Sequence, residues 1–141
     1  MSIQAVAFNY LILGTDAHAK NYSLLLGRNQ QVRLARLYDI ASFLPYVDRY
    51  KDCRFAMKIG GYYKDIQIQS RHFDKLARTC EFSAQTMRRI VIDMAEQIPD
   101  AADRVLRAMS DKGVSHQVVN NLVELLKKRA SEKLKRFSAS Q

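Results

Sequence analysis

Asp16 and Asn21 stand five positions apart in the segment Gly14-Thr15-Asp16-Ala17-His18-Ala19-Lys20-Asn21, and Asp39 follows in Tyr38-Asp39-Ile40. This order suits phosphoryl transfer, in which one carboxylate takes the proton of an attacking hydroxyl while an amide and a second carboxylate hold a metal beside the phosphates. Asp16 would then face the hydroxyl and Asn21 the Mg²⁺, and a short loop leaving a helix can aim the two side chains apart. On their own, the residues from Asp16 to Asn21 also fit an ordinary polar turn, because Asp, Asn and Gly suit turns and caps for local reasons. A metal-only reading is open too, since Asp16 and His18 are common ligand types, although no third His or Cys stands near them.

The flanking sequence says what must position these groups. Ile3 to Leu13 is an almost unbroken apolar stretch of helical length, with Gly14 where a helix would stop. A buried helix is therefore expected to deliver the loop. Tyr22 to Leu26 and Gln31 to Leu37 are short apolar runs around Gly27-Arg28-Asn29-Gln30 and predict a β-hairpin between Asn21 and Asp39. Ala41 to Arg54 reads as irregular, with Pro45 as a breaker. Phe55 to Ile59 and Tyr62 to Ile68, around Gly60-Gly61, predict a second extended pair or a turn into helix.

From Ser70 onward the period is helical. Phe73, Leu76, Ala77 and Cys80 share one face; Ser83 is placed to cap a helix striped by Met87, Ile90, Val91, Met94, Ala95 and Ile98. Pro99 is expected to break the chain, Asp100 to Met109 to form a further helix ended by Gly113, and Ser115 to cap the last one. His72 and His116 fall at helix starts and are expected to be surface or capping residues. The basic run Lys127, Lys128, Arg129, Lys133, Lys135 and Arg136 reads first as a solvated helix face and second as a patch for nucleic acid or a partner. Ser138 to Gln141 read as a disordered end.

At 141 residues the chain fits one domain with a real core. The excess of 23 Lys and Arg over 14 Asp and Glu gives a net charge of +9, a field that attracts ATP, nucleic acid or an acidic protein. No apolar run approaches the roughly 20 residues needed to span a bilayer, so no membrane partner is expected and the cytoplasm is the default location. Cys53 and Cys80 lack metal or redox spacing and read as buried or partly buried thiols.

Protein kinases carry H-R-D-x-x-x-x-N in the catalytic loop and a metal-binding Asp shortly after it, the separations of Asp16, Asn21 and Asp39. Four blocks extend the likeness: Phe8 to Ile12, Thr15 to Ser23, Leu37 to Ile40 with Ser42 and Pro45, and Ala56 to Gly61. In these the chain resembles the C-terminal lobe of the HipA-like serine/threonine kinases, the toxins of toxin–antitoxin pairs. The resemblance implies a mainly α fold with a small β-hairpin over residues 1–137, the catalytic elements in 14–40 and helices in 70–137. It implies Asp16 as catalytic base, Asn21 and Asp39 as Mg²⁺ ligands beside ATP, Lys20 as a stabiliser of phosphate or oxyanion charge, and His18 as a group orienting Asp16 or touching substrate. The expected partners are a Ser/Thr protein substrate, a HipB-like DNA-binding antitoxin, DNA itself, and an N-terminal kinase lobe in cis or trans. A phosphate-covering loop and a strand-borne Lys paired to Glu do not precede Asp16, so weak Mg·ATP binding and very slow transfer are expected of these residues alone. The reading from another class is a non-catalytic basic helical module that binds an antitoxin or nucleic acid.

Overall fold

The computed structural model describes residues 3–49 and 52–139. It is mainly helical with two small antiparallel hairpins, in the order α1 (Ile3–Ile12), β1 (Leu24–Leu26), β2 (Val32–Leu34), β3 (Arg54–Ile59), β4 (Tyr62–Lys64), α2 (Ser70–Thr79), α3 (Ala84–Asp111) and α4 (Gln117–Ser138). The apolar run at the start of the chain becomes α1, which is buried nearly all round because α3 and α4 pack against it. Tyr10 on α1, Phe73 on α2 and Phe137 on α4 meet at the centre, with ring centroids 4.9 Å apart for Tyr10–Phe73 and 5.3 Å for Phe73–Phe137. All three are fully buried.

The last carbonyls of a helix lack intrahelical donors and must find others. For α1 they all do. Gly14 N donates to Asn9 O at 2.7 Å, Arg129 to Tyr10 O and Leu11 O, Ser42 Oγ to Ile12 O at 2.6 Å, and Phe43 N to Leu13 O at 3.0 Å. The left-handed residue that ends the helix is Leu13, at φ 56°, rather than Gly14. Gly14 is needed for space instead: a Cβ there would stand 2.4 Å from Asn9 Oδ1.

The hairpin between Asn21 and Asp39 forms with Leu24 opposite Leu34 and Leu26 opposite Val32, shorter than the apolar runs suggested. The second pair joins Arg54 to Lys64 and Ile59 to Tyr62 across an irregular register. Its turn is pressed on the start of α2, where a Cβ on Gly60 would lie 2.3 Å from His72 O. Between the hairpins, Leu44–Arg49 forms a 3-10 turn that begins at buried Leu44 and takes in Pro45.

Several helical expectations change. Pro99 does not break the chain; α3 runs through it for 28 residues. A proline removes one helical hydrogen bond, but Ala95 and Ile98 just before it are buried, and the long packing of α3 on α4 holds the helix together. Beyond the proline α3 projects past the core, and Val105 is exposed. Helix α2 is capped by Gln69, whose backbone N–H donates to His72 Nδ1 at 2.9 Å. Helix α4 is capped by His116 and not by Ser115, with Val118 N donating to His116 Nδ1 at 3.1 Å. Ser83 caps α3 as expected, accepting from Thr86 N at 3.3 Å.

Cys80, expected within the core-facing stripe of α2, is the exposed residue that ends that helix; Cys53 is partly buried. Ser138 closes α4 rather than opening a disordered end, while Ser140 and Gln141 lie outside the described residues. The basic run of α4 is not one solvated face. Arg129 and Lys133 are buried, at 8% and 5% exposure, around Asp65.

Candidate functional site

The loop after α1 is shaped by its own backbone. His18 N donates to Asp16 O at 2.8 Å and Asn21 N to His18 O at 3.0 Å, folding Ala19–Asn21 into a 3-10 turn. Thr15 O accepts from Ala56 N at 3.0 Å, which fixes the start of the loop to β3. The result separates the two groups the sequence singled out. Asn21 is turned inward, 7% exposed, while the Asp16 side chain stands out with 79% of its surface in solvent.

The hairpin β1–β2 then returns the chain so that Asp39 meets Asn21. Asn21 Nδ2 lies 3.4 Å from Asp39 Oδ2 and 3.2 Å from Asp16 O, so one amide ties both halves of the site. Asp39 sits in the left-handed region at φ 55°, where Asp is more at ease than most side chains. Ala35 N bonds Ser23 O at 2.8 Å, and Tyr38 Oη donates to Lys20 O at 2.6 Å and lies 3.2 Å from Ser23 Oγ. Asn9 on α1 donates to Ala5 O and Tyr22 Oη, at 2.9 and 3.3 Å. Asn9, Ala17, Asn21, Tyr22, Tyr38 and Asp39 thus line one narrow cleft.

Of the five residues marked in the sequence, the structure brings Asn21 and Asp39 into contact and sets Asp16 at the end of the same loop. His18 Nε2 stands 3.8 Å from Asp16 Oδ1, too far for a hydrogen bond but near enough to steer the carboxylate, and His18 Nδ1 is buried without a partner among the described residues. Lys20 is exposed and directs no side-chain bond to any described residue. No cluster of three or more His, Cys, Asp or Glu residues suited to a metal occurs among the described residues. The donor set at hand is one carboxylate and one amide oxygen.

Residues with no assigned role also shape the site. Asn9, Tyr22 and Tyr38 hold the loop, although their types alone did not distinguish supports from packing. Arg129 was visible in principle: with Leu122 and Leu126 before it and Ala130, Lys133 and Phe137 after it, it lies on the buried stripe of α4 at helical spacing. Its guanidinium meets both oxygens of Asp65, at 2.9 and 2.7 Å, and Lys133 Nζ reaches the same carboxylate at 3.0 Å. Burial pushes the Asp65 carboxyl up, but the bonds and charges of Arg129 and Lys133 outweigh it and hold the group at about 2. Lys133 is the second cation on one anion. Burial and the Arg129 charge lower it to about 8 against the pull of Asp65. Tyr10, whose ring lies beneath Lys133, is pushed well above the usual phenol range by burial.

No helix among the described residues is long and apolar enough to cross a membrane. The family model of the HipA-like C-terminal domain matches residues 2–102. A Sinorhizobium fredii protein named "Putative kinase Y4mE" is 28% identical over 136 residues, covering 96% of this chain and 31% of that protein. HipA from Shewanella oneidensis MR-1, solved as a toxin–antitoxin complex of HipA, HipB and operator DNA, superposes with a TM-score of 0.80 at 22% identity. That match covers 97% of this chain and 32% of the HipA chain, and it shows the shared fold. The chain spans about a third of the length of both relatives.

Proposed function

The chain belongs to the HipA-like C-terminal domain family, and from that premise we propose that it carries the base and metal ligands of a protein kinase that moves the γ-phosphoryl of ATP to a Ser or Thr hydroxyl. The observation that carries the reading is the contact between Asn21 and Asp39, 3.4 Å apart across eighteen positions of sequence, beside an outward-facing Asp16. A carboxylate and an amide oxygen are hard donors that suit Mg²⁺, which keeps several waters and completes its shell with substrate phosphates. When bound there, Mg²⁺ supplies neutralisation of phosphate charge.

The side chains do the rest by position. Asp16 accepts the proton of the substrate hydroxyl, its backbone held by Asn21 and its carboxylate steered by the nearby His18. Asn21 and Asp39 hold the metal, and the exposed Lys20 beside them faces charge on the phosphate or the attacking oxygen. Catalysis on this plan is positioning and charge neutralisation. Among the described residues no strand-borne Lys pairs with a Glu, so these 141 residues alone are assigned weak Mg·ATP binding and slow transfer.

The likeness to HipA in its complex with HipB and operator DNA supports a toxin–antitoxin setting, with a HipB-like DNA-binding protein as partner. A net charge of +9 suits a place beside DNA phosphates. The deciding experiment is Asp16→Asn in the full-length protein. Phosphate transfer should vanish while Mg·ATP affinity stays near that of the unaltered protein; retained turnover overturns the assignment.

A further inference from the structure

Strand β3 presents two different faces. Phe55 and Ile59 are buried in the core, whereas Arg54, Ala56 and Lys58 alternate with them and face outward. Ala56 N bonds Thr15 O at 3.0 Å, so the middle of β3 is fastened to the residue before Asp16. Lys58 and Met57 line a small cleft together with Gly14 and Ala17, which bracket Thr15 and Asp16.

The charges on this face are unanswered. The Arg54 side chain makes no hydrogen bond or ion pair with any described residue, and Lys58 only overlies the Tyr63 ring, 5.4 Å from its centroid. Asp52, the acid nearest in sequence, is taken by Lys64 at 2.8 Å. Arg54 and Lys58 lie four positions apart on the exposed side of β3, whose register against β4 is irregular between them.

We infer that the outer face of β3 is the substrate-docking surface of the site and that it takes an acidic peptide segment. Carboxylates on the segment answer Arg54 and Lys58, and β3's bond to the residue before Asp16 lays the segment's hydroxyl alongside Asp16. The inference rests on the kinase reading for that last clause. The charge complementarity itself does not depend on phosphate transfer.

The test is a binding measurement on the 141-residue chain at low ionic strength, where exposed pairs are least screened. The probe is a fluorescein-labelled serine peptide with two glutamates four positions apart, set against its twin with glutamine at both. The glutamate peptide should bind about fivefold tighter, as two exposed ion pairs allow. Arg54→Gln with Lys58→Gln should erase that preference. Lys128→Gln with Lys135→Gln, which removes the same charge from exposed positions of α4, should leave it intact.

Equal binding of the two peptides overturns the inference. So does a preference that survives in the β3 variant, one lost equally in the α4 variant, or displacement of the peptide by a single-stranded oligonucleotide at lower charge concentration than by an acidic peptide. The kinase reading fails separately: a peptide that docks through Arg54 and Lys58 but is never phosphorylated by the full-length protein leaves the docking surface standing and removes the activity.

Discussion

Arg129 grips Asp65 with two parallel bonds, Nη1 to Oδ2 at 2.9 Å and Nη2 to Oδ1 at 2.7 Å, and with the same side chain caps Tyr10 O and Leu11 O at the end of α1. The helix that leads into the candidate site's loop is therefore held from α4, a hundred residues downstream. Removing one member of a buried ion pair strands its partner, at a cost of about 3–5 kcal/mol. Arg129→Met should lower unfolding free energy by that order in urea denaturation, while Arg129→Lys should lose less. A loss under about 1 kcal/mol for Arg129→Met would show that the clamp contributes no more than an exposed ion pair does.

The same cluster predicts two pH windows. Asp65 falls from 3.8 in the unfolded chain to about 2 in the fold, so its stabilisation is complete above 3.8 and is lost as pH falls toward 2. Lys133 falls from 10.5 to about 8, so between those values the unfolded chain binds the extra proton and stability rises with pH. The urea midpoint should therefore be higher at pH 9.5 than at pH 7.5. Lys133→Met should flatten that rise; an unchanged slope would assign it to other groups.

Gly14 has room for hydrogen alone, because a Cβ there would meet Asn9 Oδ1 at 2.4 Å. Gly14→Ala should push Asn9 from Tyr22 and cost about 1–3 kcal/mol, in the range of overpacking. In an Asn9→Ala background the same change should cost far less. Additive effects in this double-mutant cycle would place the strain elsewhere.

Pro99 lies inside a helix that continues through it. Pro99→Ala restores a backbone donor and removes a ring clash, so it should stabilise the chain by about 1–3 kcal/mol, read as a higher Tm. A neutral or lower Tm would mean that α3 accommodates the proline at no cost to its packing on α4.

Asp39→Ala in the full-length protein should weaken Mg·ATP binding at least about tenfold, a loss of about 1.4 kcal/mol. Affinity equal to that of the unaltered protein, measured by calorimetry, would rule out Asp39 as the proposed metal ligand.

Much of the site could be read before the fold. The five-residue step from Asp16 to Asn21, and two apolar runs flanking a turn, were enough to expect that Asp39 would come back to Asn21. What the spacing could not convey is which way each group faces. Asn21 is buried and Asp16 exposed because of the 3-10 turn between them, and that turn depends on backbone bonds rather than on residue type. The proline misled for a related reason: its local penalty is fixed, but the packing that overrides it comes from α4. Basic residues misled most, since Arg129 and Lys133 look in isolation like their solvated neighbours and only Asp65, far away in sequence, makes them interior.

The bond from Arg129 to Tyr10 closes a loop of 119 residues. During synthesis α1 is made well before α4, and its final carbonyls and the aromatic faces of Tyr10 and Phe73 wait for Arg129 and Phe137 to emerge. Contacts of such separation slow folding and leave early apolar surface uncovered. The candidate site's loop, hanging from the end of α1, accordingly lacks the full anchoring of its helix until Arg129 of α4 has been made.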